Sequence, residues 1–409
     1  MKPMGSIPAG YGTSAGGQLL IGGIDCETLI ARAGDTPLFV YDFALIAARI
    51  ARLRKMLPNN VALHYAMKAN PLPALVSAVA RLVDGVDVAS VGEMHVALTA
   101  SAKHISFAGP AKRDRELEGA IIAGVTINLE SEGEAKRAIS IASRIGIAPK
   151  LAVRVNPSFD LRGSGMRMGG GAKPFGVDAE RASELVKWII GEGAQWQGFH
   201  IFAGSQALDA SAIAETQAQV IDLAAQLSDE IGETPPLVNV GGGFGIPYFP
   251  KEVPLDLEAV GVTLHQSIEA RPASLEDSRF AVELGRYLVG EAGVYLCRVI
   301  DRKVSHGEIF LATDGGLHHQ LAATGNFGTV VKRNYPVAVA TKFAEQAAET
   351  VSVVGCLCTP LDRLADHVSL PRADEGDVIA VFMAGAYGLS ASPTGFLGHP
   401  GPRELMVNE

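Results

Sequence analysis

The sequence predicts an α/β fold, a parallel (β/α)₈ TIM barrel joined to a second, β-rich domain. Eight short apolar runs alternate with alanine-rich helical stretches between residues 61 and 286. The last third changes to period-two alternation with few helices, and 409 residues exceed one small domain. A doubly wound open sheet would produce a similar alternation in the first part, so it stays open as the alternative.

The predicted barrel strands are 61–68, 85–90, 104–109, 125–130, 150–156, 196–204, 237–243 and 280–286. Between them lie stretches such as 90–100 and 131–145, in which apolar residues recur at helical spacing. Parallel strands need such crossover helices, so the alternation indicates a parallel sheet.

Four later runs and one early run predict the β domain. The runs 293–304, 308–313, 351–358 and 376–385 alternate at period two. The early run PLFVYD (37–42) is also strand-like, and we expect it to join them. The predicted division is therefore an N-terminal strand segment at 1–43, a cofactor-binding barrel at 44–286 and a C-terminal β-sandwich-like or barrel-like domain at 287–409.

Composition limits the function classes. A net charge of −9 without basic patches argues against a nucleic-acid partner. No run approaches the roughly 18 apolar residues of a membrane span, and the N-terminus lacks a signal-peptide core. The four cysteines, Cys26, Cys297, Cys356 and Cys358, do not suggest a disulfide framework in so long a chain. We expect a cytoplasmic protein with reduced thiols.

Barrel enzymes carry their active sites at the C-terminal ends of the strands. The polar residues at these predicted ends are Lys68, Asp87, Ser90, Asn128, Glu130, Arg154, Asn156, His200, Ser205, Gln206, Glu283 and Arg286. A lysine, a histidine, several carboxylates and two arginines would then converge on one mouth. Taken alone, Lys68 could be an ordinary ion-paired lysine, and His200 an ordinary core histidine.

The loop GGGFG (241–245) follows the seventh predicted strand, where barrels commonly bind phosphate. Consecutive glycines let backbone N–H groups approach an anion, although a simple turn is equally compatible. The glycine-rich stretch 163–173 is predicted to be a mobile loop. A phosphate site beside a buried Lys68 indicates pyridoxal 5′-phosphate, whose aldehyde forms a Schiff base with lysine. Glu283 would then face the pyridine nitrogen, and His200 would stack on the ring.

Six motifs follow one another along the chain: HYAMKAN (64–70), DVAS, HIFAGSQ, GGGFG, ELGR and AGAYG. The stretch that contains them, about residues 35–409, resembles the fold-type III pyridoxal-phosphate decarboxylases. That family includes diaminopimelate, ornithine and arginine decarboxylases. The resemblance implies Lys68, His200 and Cys358 as catalytic residues. The implied cofactor-binding residues are Lys68, Asp87, Arg154, His200, Ser205, Gly241, Gly242, Gly243, Glu283, Gly285, Arg286 and Tyr387, of which Asp87 and Arg154 would help position Lys68. The implied substrate residues are Arg286, Tyr335, Asp362 and Tyr387; Arg363 and the loop 163–175 would also line the pocket.

In this family the catalytic cysteine comes from the partner subunit in a Cys-Glu-Ser-x-Asp stretch, which implies a homodimer with shared sites. Here the stretch is CTPLD, so Thr359 and Pro360 replace the glutamate and serine. The glutamate reads the distal amino group in diaminopimelate decarboxylases, so its absence argues against free diaminopimelate. HIFAGSQ is also two residues longer than the usual form, and ELGR replaces EPGR.

These departures, together with GSGMRMGGG, GGGFGIPYFP and FLGHP, resemble the exosortase A system-associated branch of the family. That branch is similar to decarboxylases of aminoacyl groups on acyl-carrier proteins, so the substrate amino acid is expected to be free or carrier-bound. Three alternatives remain: a diaminopimelate decarboxylase proper, a fold-III amino-acid racemase, and a non-catalytic pyridoxal-phosphate-binding protein. Cys356-x-Cys358 has no second ligand cluster, so we expect no metal site.

Overall fold

The computed structural model describes residues 1–325 and 333–409 and divides them into two compact units. The barrel unit comprises Arg49–Ile246 and Pro254–Tyr287. The β unit comprises Met1–Ala48, Pro247–Val253 and Leu288–Glu409. This division differs from the predicted one chiefly at Pro247–Val253, which belongs to the β unit.

The strands, numbered in chain order, are β1 (Gly12–Thr13), β2 (Leu19–Ile21), β3 (Ile24–Asp25), β4 (Leu38–Asp42), β5 (Val61–Ala66), β6 (Gly85–Val88), β7 (Ile105–Phe107), β8 (Thr126–Leu129), β9 (Lys150–Asn156), β10 (Met166–Arg167), β11 (Val177–Asp178), β12 (Gln195–Ile201), β13 (Gly204–Ser205), β14 (Leu237–Gly242), β15 (Arg279–Leu284), β16 (Gly293–Ser305), β17 (Glu308–Thr313), β18 (Val337–Val339), β19 (Glu349–Val354), β20 (Arg363–Leu370), β21 (Val378–Val381) and β22 (Arg403–Val407).

The α-helices are α1 (Cys26–Ala33), α2 (Phe43–Met56), α3 (Pro73–Ala80), α4 (Val91–Thr99), α5 (Asp114–Ile122), α6 (Glu132–Ile145), α7 (Ala179–Gly191), α8 (Ala210–Ile231), α9 (Leu257–Glu269) and α10 (Arg286–Val289). Among the described residues, none of these helices is both long enough and apolar enough to cross a bilayer.

In the barrel unit, eight parallel strands form a closed ring in the order β5, β6, β7, β8, β9, β12, β14 and β15, and β15 pairs with β5 to complete it. The predicted (β/α)₈ barrel is confirmed, and ring closure excludes the open sheet. Each ring strand is followed by a helix, and strands such as β5 and β8 are buried along their whole length. Near-continuous apolar strands are expected when both faces of a parallel sheet are covered.

In the β unit, the path β18, β21, β16, β17, β19 and β20 forms most of an eight-stranded sheet. The early strand β4 pairs antiparallel with β16 and parallel with β22, so its predicted place in the β domain is confirmed.

The segment Pro247–Val253 belongs to the β unit because its aromatic residues pack there. Tyr248 and Tyr335 have ring centroids 4.8 Å apart, and the Arg333 guanidinium lies 3.6 Å from the Phe249 ring centroid. Aromatic and cation–π contacts of this kind are favourable beyond the burial of apolar area. The insertion of a short aromatic segment from between two barrel elements has no signal in hydrophobic periodicity.

Candidate active site

Lys68 lies on a 3₁₀ turn, Met67–Ala69, that follows β5 at one end of the barrel. Met67 and Ala69 are buried, whereas Lys68 is exposed, so the prediction of a buried lysine is wrong. The strand ends at Ala66, two residues earlier than predicted, and the turn places the lysine outside the barrel core. The ammonium nitrogen lies 5.8 Å from the centroid of the Phe202 ring.

Gly285, a predicted cofactor residue, packs against the turn that carries Lys68. A Cβ at this position would come within 2.9 Å of the Ala66 carbonyl oxygen and 3.0 Å of the Ala69 Cβ. Any larger residue would push the turn away. Gly285 therefore acts on the site by letting the chain after β15 approach the Lys68 turn closely.

Glu283 and His200 form a buried pair inside the barrel. The His200 Nε2 lies 2.7 Å from a Glu283 carboxylate oxygen, and Asn239 donates a longer bond of 3.4 Å to the same oxygen. Burial alone would raise the pKa of Glu283, but the hydrogen bond and charge of His200, with Lys68 and Arg154, lower it to about 2. Glu283 is thus an ionised carboxylate in a low-dielectric interior, which suits it to hold a protonated pyridine nitrogen.

The glycine run at the end of β14 forms a narrow backbone cradle. Gly241 and Gly243 have φ of +72°, a conformation that glycine adopts at little cost. A Cβ at Gly242 would lie 2.1 Å from the Glu283 carbonyl oxygen, and one at Gly243 would lie 2.4 Å from the Gly204 carbonyl oxygen. The Ser205 hydroxyl is buried beside this segment, with no partner among the described residues. A close backbone approach with a spare hydroxyl donor fits a phosphate group.

Arg154 and Asp87 belong to networks other than the one expected. Arg154 donates to Glu130 at 2.9 Å, and the Glu130 carboxylate also accepts from two backbone N–H groups, those of Gly109 and Gly176. Burial raises the pKa of Glu130, but Arg154 and Lys112 lower it overall. Arg154 therefore fixes two loops at the barrel mouth.

Asp87 lies within the barrel. It accepts a hydrogen bond from Ser106 and is 3.3 Å from the His64 Nδ1. In the part of the chain that the structure describes, no hydrogen bond or ion pair joins either Asp87 or Arg154 to Lys68. Their expected role in positioning Lys68 stays a prediction.

Several other strand-end residues hold the backbone. Ser90 caps α4 by accepting from the Glu93 N–H at 3.1 Å. Asn156 donates to the Gly171 carbonyl and to Asp178, each at 3.1 Å. Gln206 bonds both backbone polar groups of Ile246. These are loop-supporting residues.

The stretch 163–173 was predicted to be a mobile loop, but part of it is a strand. β10 pairs antiparallel with β13, so that Met166 lies opposite Ser205. The N–H groups of Met168 and Gly169 also bond to the Ala203 carbonyl at 3.1 Å. The paired edge Gly204–Ser205 lies within HIFAGSQ, and periodicity could not reveal it because each partner strand has only two residues.

The remaining predicted residues, Cys358, Tyr335, Asp362, Arg363 and Tyr387, lie in the β unit. Cys358 is a free, exposed thiol on the turn after β19. Tyr387 has a φ of +53°, which is uncommon for a bulky residue and marks a position of functional interest. Arg286, in the barrel unit, is the first residue of α10.

Asp362 supports a loop of the β unit, and its predicted substrate contact stays a prediction. Its side chain is 2% exposed and accepts from the Leu317 N–H at 2.6 Å and the Leu357 N–H at 2.8 Å. A Cβ at Gly316 or Gly355 would collide with this carboxylate. Asp362 therefore fixes the turn that carries Cys358, because both of its oxygens are engaged by backbone.

Sequence reasoning missed two sets of buried polar residues in the barrel unit. Lys112 and Glu134 form a buried ion pair with a distance of 3.0 Å, and His64 lies beside Asp87. The HYAMKAN motif contained His64, and its position four residues before Lys68 on a buried strand was a usable signal. Lys112 had none, since it lies outside every strand.

The family model described as "Pyridoxal-dependent decarboxylase, pyridoxal binding domain" matches residues 43–290. The L-glutamyl-(BtrI acyl-carrier protein) decarboxylase of Niallia circulans is 34% identical over 387 residues, covering 93% of this chain and 90% of the relative. The diaminopimelate decarboxylase of Methanothermobacter thermautotrophicus is 32% identical over 404 residues, covering 96% and 91%. The crystal structure of diaminopimelate decarboxylase from M. jannaschii superposes with a TM-score of 0.88 at 26% identity, covering 98% of this chain and 93% of that one.

A closed parallel barrel with an exposed lysine on a turn, a buried carboxylate and a glycine cradle defines a pyridoxal-phosphate enzyme of the fold-type III class. The chain belongs to the pyridoxal-dependent decarboxylase family. It is a decarboxylase that uses pyridoxal 5′-phosphate, as the sequence motifs indicated.

The lowered pKa of Glu283 predicts a specific pH dependence. An ionised carboxylate with a pKa of about 2 stabilises the fold above its ordinary value of 4.5, and this stabilisation is lost as pH falls from 4.5 towards 2. Glu283→Gln should therefore cost the cofactor-free protein stability near neutral pH, and the cost should shrink by about 1.4 kcal/mol per pH unit below 4.5. Urea unfolding midpoints between pH 7 and pH 3 measure it. Glu276→Gln, an exposed control, should show no such trend, and an equal cost of Glu283→Gln at every pH would contradict the assignment.

Proposed function

We propose that this decarboxylase removes the α-carboxylate of an amino acid joined to an acyl-carrier protein through its side-chain carboxylate, acting in the cytoplasm as a homodimer. The observation that carries the proposal is the CTPLD stretch. It lacks the carboxylate at position 359 that would read a free substrate's distal amine. The similarity to a carrier-protein decarboxylase over 93% of the chain supports the same substrate class.

The neighbourhood of Thr359 supports this choice. The Thr359 N–H bonds the Leu357 carbonyl at 2.7 Å, and its hydroxyl accepts from the Leu361 N–H at 3.4 Å. The turn is thus closed by neutral groups, without a side-chain anion at this position. A substrate whose far end is a neutral thioester needs no such anion, whereas diaminopimelate ends in an ammonium group.

The barrel residues then divide the chemistry. When bound, pyridoxal phosphate accepts the electron pair released as the bond from the α-carbon to the carboxylate breaks. Lys68 supplies the amine that attaches to the cofactor aldehyde. Glu283, kept ionised by His200, holds the proton of the pyridine nitrogen, and the Gly241–Gly243 cradle with Ser205 receives the phosphate. CO₂ leaves without the bonding electrons.

A proton must replace the lost carboxylate on the α-carbon. We assign it to the Cys358 thiol of the partner subunit. Two observations support this assignment: the thiol is exposed on the chain considered alone, and Asp362 fixes its turn. Arg286, Tyr335 and Tyr387 are retained as proposed substrate-contacting residues, and Arg363 with the loop 163–175 as further lining.

The substrate proposal predicts discrimination between carrier-bound and free amino acids. Glutamate and other dicarboxylic amino acids, loaded on an acyl-carrier protein through the side-chain carboxylate so that the α-carboxylate is free, should lose one CO₂, as read by intact mass of the carrier. Free diaminopimelate should react with a kcat/KM at least about 100-fold lower, since its ammonium would lack a partner. The double variant Thr359→Glu, Pro360→Ser should raise turnover of free diaminopimelate. Comparable kcat/KM for free diaminopimelate and every carrier-bound substrate in the wild-type protein would refute the proposal.

The shared site predicts complementation between two inactive variants. Lys68→Ala and Cys358→Ala should each lose activity by at least about 100-fold. When the two are co-refolded as random dimers, half of the dimers are mixed, and one of their two sites is intact, which restores about a quarter of wild-type activity. Cys356→Ala, a neighbouring exposed thiol, serves as the control and should retain activity. Failure of the mixture to regain activity, with mixed dimers demonstrated by mass spectrometry, would locate Cys358 in its own chain's site.

A further inference from the structure

The barrel unit contains a second polar cavity, of about 460 Å³, that begins at the N-terminal ends of the strands. Its outer wall carries the exposed Lys103, just before β7, and Arg279, the first residue of β15. Its inner wall reaches Asn128 and His200. Since the strands are parallel, this entrance lies at the end of the barrel opposite Lys68. The proposed reaction makes no use of this entrance.

The inner wall presents polar atoms that lack hydrogen-bond partners. The Thr126 hydroxyl, the Asn128 amide nitrogen and the His200 Nδ1 are unpaired among the described residues. Their side chains are deeply buried, with Thr126 4%, Asn128 3% and His200 5% exposed. Buried polar groups in native proteins are almost always satisfied. These three atoms therefore require a guest that offers polar atoms inside the cavity.

The charges at the cavity are predominantly positive. Of the nearby carboxylates, Asp84 is 2.7 Å from Arg54 and accepts from the Leu63 N–H. Asp87 accepts from Ser106 through one oxygen, and its other oxygen forms an ion pair with the His64 Nδ1 at 3.3 Å but has no hydrogen-bond partner among the described residues. Lys103 and Arg279 have no ion-pair partner among the described residues.

The titration of two histidines agrees with this positive field. Burial lowers the pKa of His104 to about 4, and the charges of His64, Arg279 and Lys150 act in the same direction. His64 behaves in the opposite way, because Asp87 outweighs its burial and raises its pKa. His64, paired with Asp87, thus lies next to the cavity, and the two cations Lys103 and Arg279 lie at its entrance.

We propose that this chamber is a binding site for a small oxyanion of carboxylate or phosphate type, entered from the end of the barrel opposite the phosphate cradle. The oxyanion's negative charge would be balanced by Lys103 and Arg279, and its oxygens would accept from Thr126 and Asn128. The volume holds such an ion together with several waters at about 30 Å³ each. Water alone would satisfy the neutral groups, whereas an anion would also be attracted by the two cations at the entrance.

The test uses the whole protein saturated with pyridoxal phosphate, so that the phosphate cradle at the opposite mouth is filled. Calorimetric titration with inorganic phosphate and, separately, with acetate at constant ionic strength should show one site per chain for at least one of them. The stronger anion identifies the phosphate or the carboxylate class. Arg279→Gln and Asn128→Leu should each weaken binding at least tenfold, whereas Lys136→Gln, an exposed lysine on α6, should leave it unchanged.

Melting curves show whether each variant is folded. If Asn128→Leu fails to fold, Lys103→Gln decides instead, because Lys103 is exposed and its substitution is not expected to disturb folding. Lys103→Gln should also weaken anion binding. The proposal is overturned if neither anion binds at tens of millimolar, which would leave a chamber filled by water only. It is also overturned if binding persists undiminished in the Arg279 and Lys103 variants.

Discussion

The pairing of β15 with β5 is the constraint on which the site depends. It closes the ring of eight parallel strands in a register that places Glu283 opposite His64 and Leu284 opposite Tyr65. This register brings the end of β15 to the turn that carries Lys68, and Gly285 permits the final approach. A shift of one residue would exchange the inward and outward faces of β15 and remove Glu283 from the barrel interior. The same strand pairing therefore closes the barrel and places Glu283 in its interior.

Electrostatic compensation explains how so polar an interior is tolerated. An isolated carboxylate at the position of Glu283 would take up a proton, and His200 prevents this by hydrogen bonding and charge. The same rule holds for Glu130 with Arg154 and for Glu134 with Lys112. The chamber at the opposite end departs from the rule, because cations and buried donors there lack partners within the described chain. Unpaired polar groups of this kind are typical of a binding site, whereas the groups of a structural ion pair are matched by each other.

Hydrophobic patterning was sufficient for the barrel but not for the shape of its mouth. β9 and β17 were predicted to the residue, because each is an apolar run that ends abruptly at polar residues. β5 was predicted two residues too long, since the following 3₁₀ turn retains the buried Met67. The pairing of β10 with β13 and the insertion of Tyr248 into the β unit depend on contacts distant in sequence, which no local window contains. The chamber also escaped prediction, because it depends on side-chain volumes from several strands at once.

The motifs predict site residues by their order along the chain, and the structure adds the contacts of those residues. HYAMKAN, GGGFG and ELGR single out Lys68, the glycine cradle and Glu283 as proposed cofactor residues. By contrast, Asp362, Asp87 and Arg154 proved to be engaged by backbone or by other side chains. A carboxylate near a motif can hold a loop or a substrate, and only its hydrogen-bond partners distinguish the two.

The central claim is that pyridoxal phosphate attaches to Lys68 in the barrel whose closure sets Glu283 beside it. The most direct measurement is borohydride reduction of the purified, cofactor-saturated protein, followed by peptide mass mapping. The account predicts loss of the visible absorbance on reduction and the cofactor's mass on the single peptide that contains Lys68. A cofactor mass on another lysine, or none on any peptide, would contradict it.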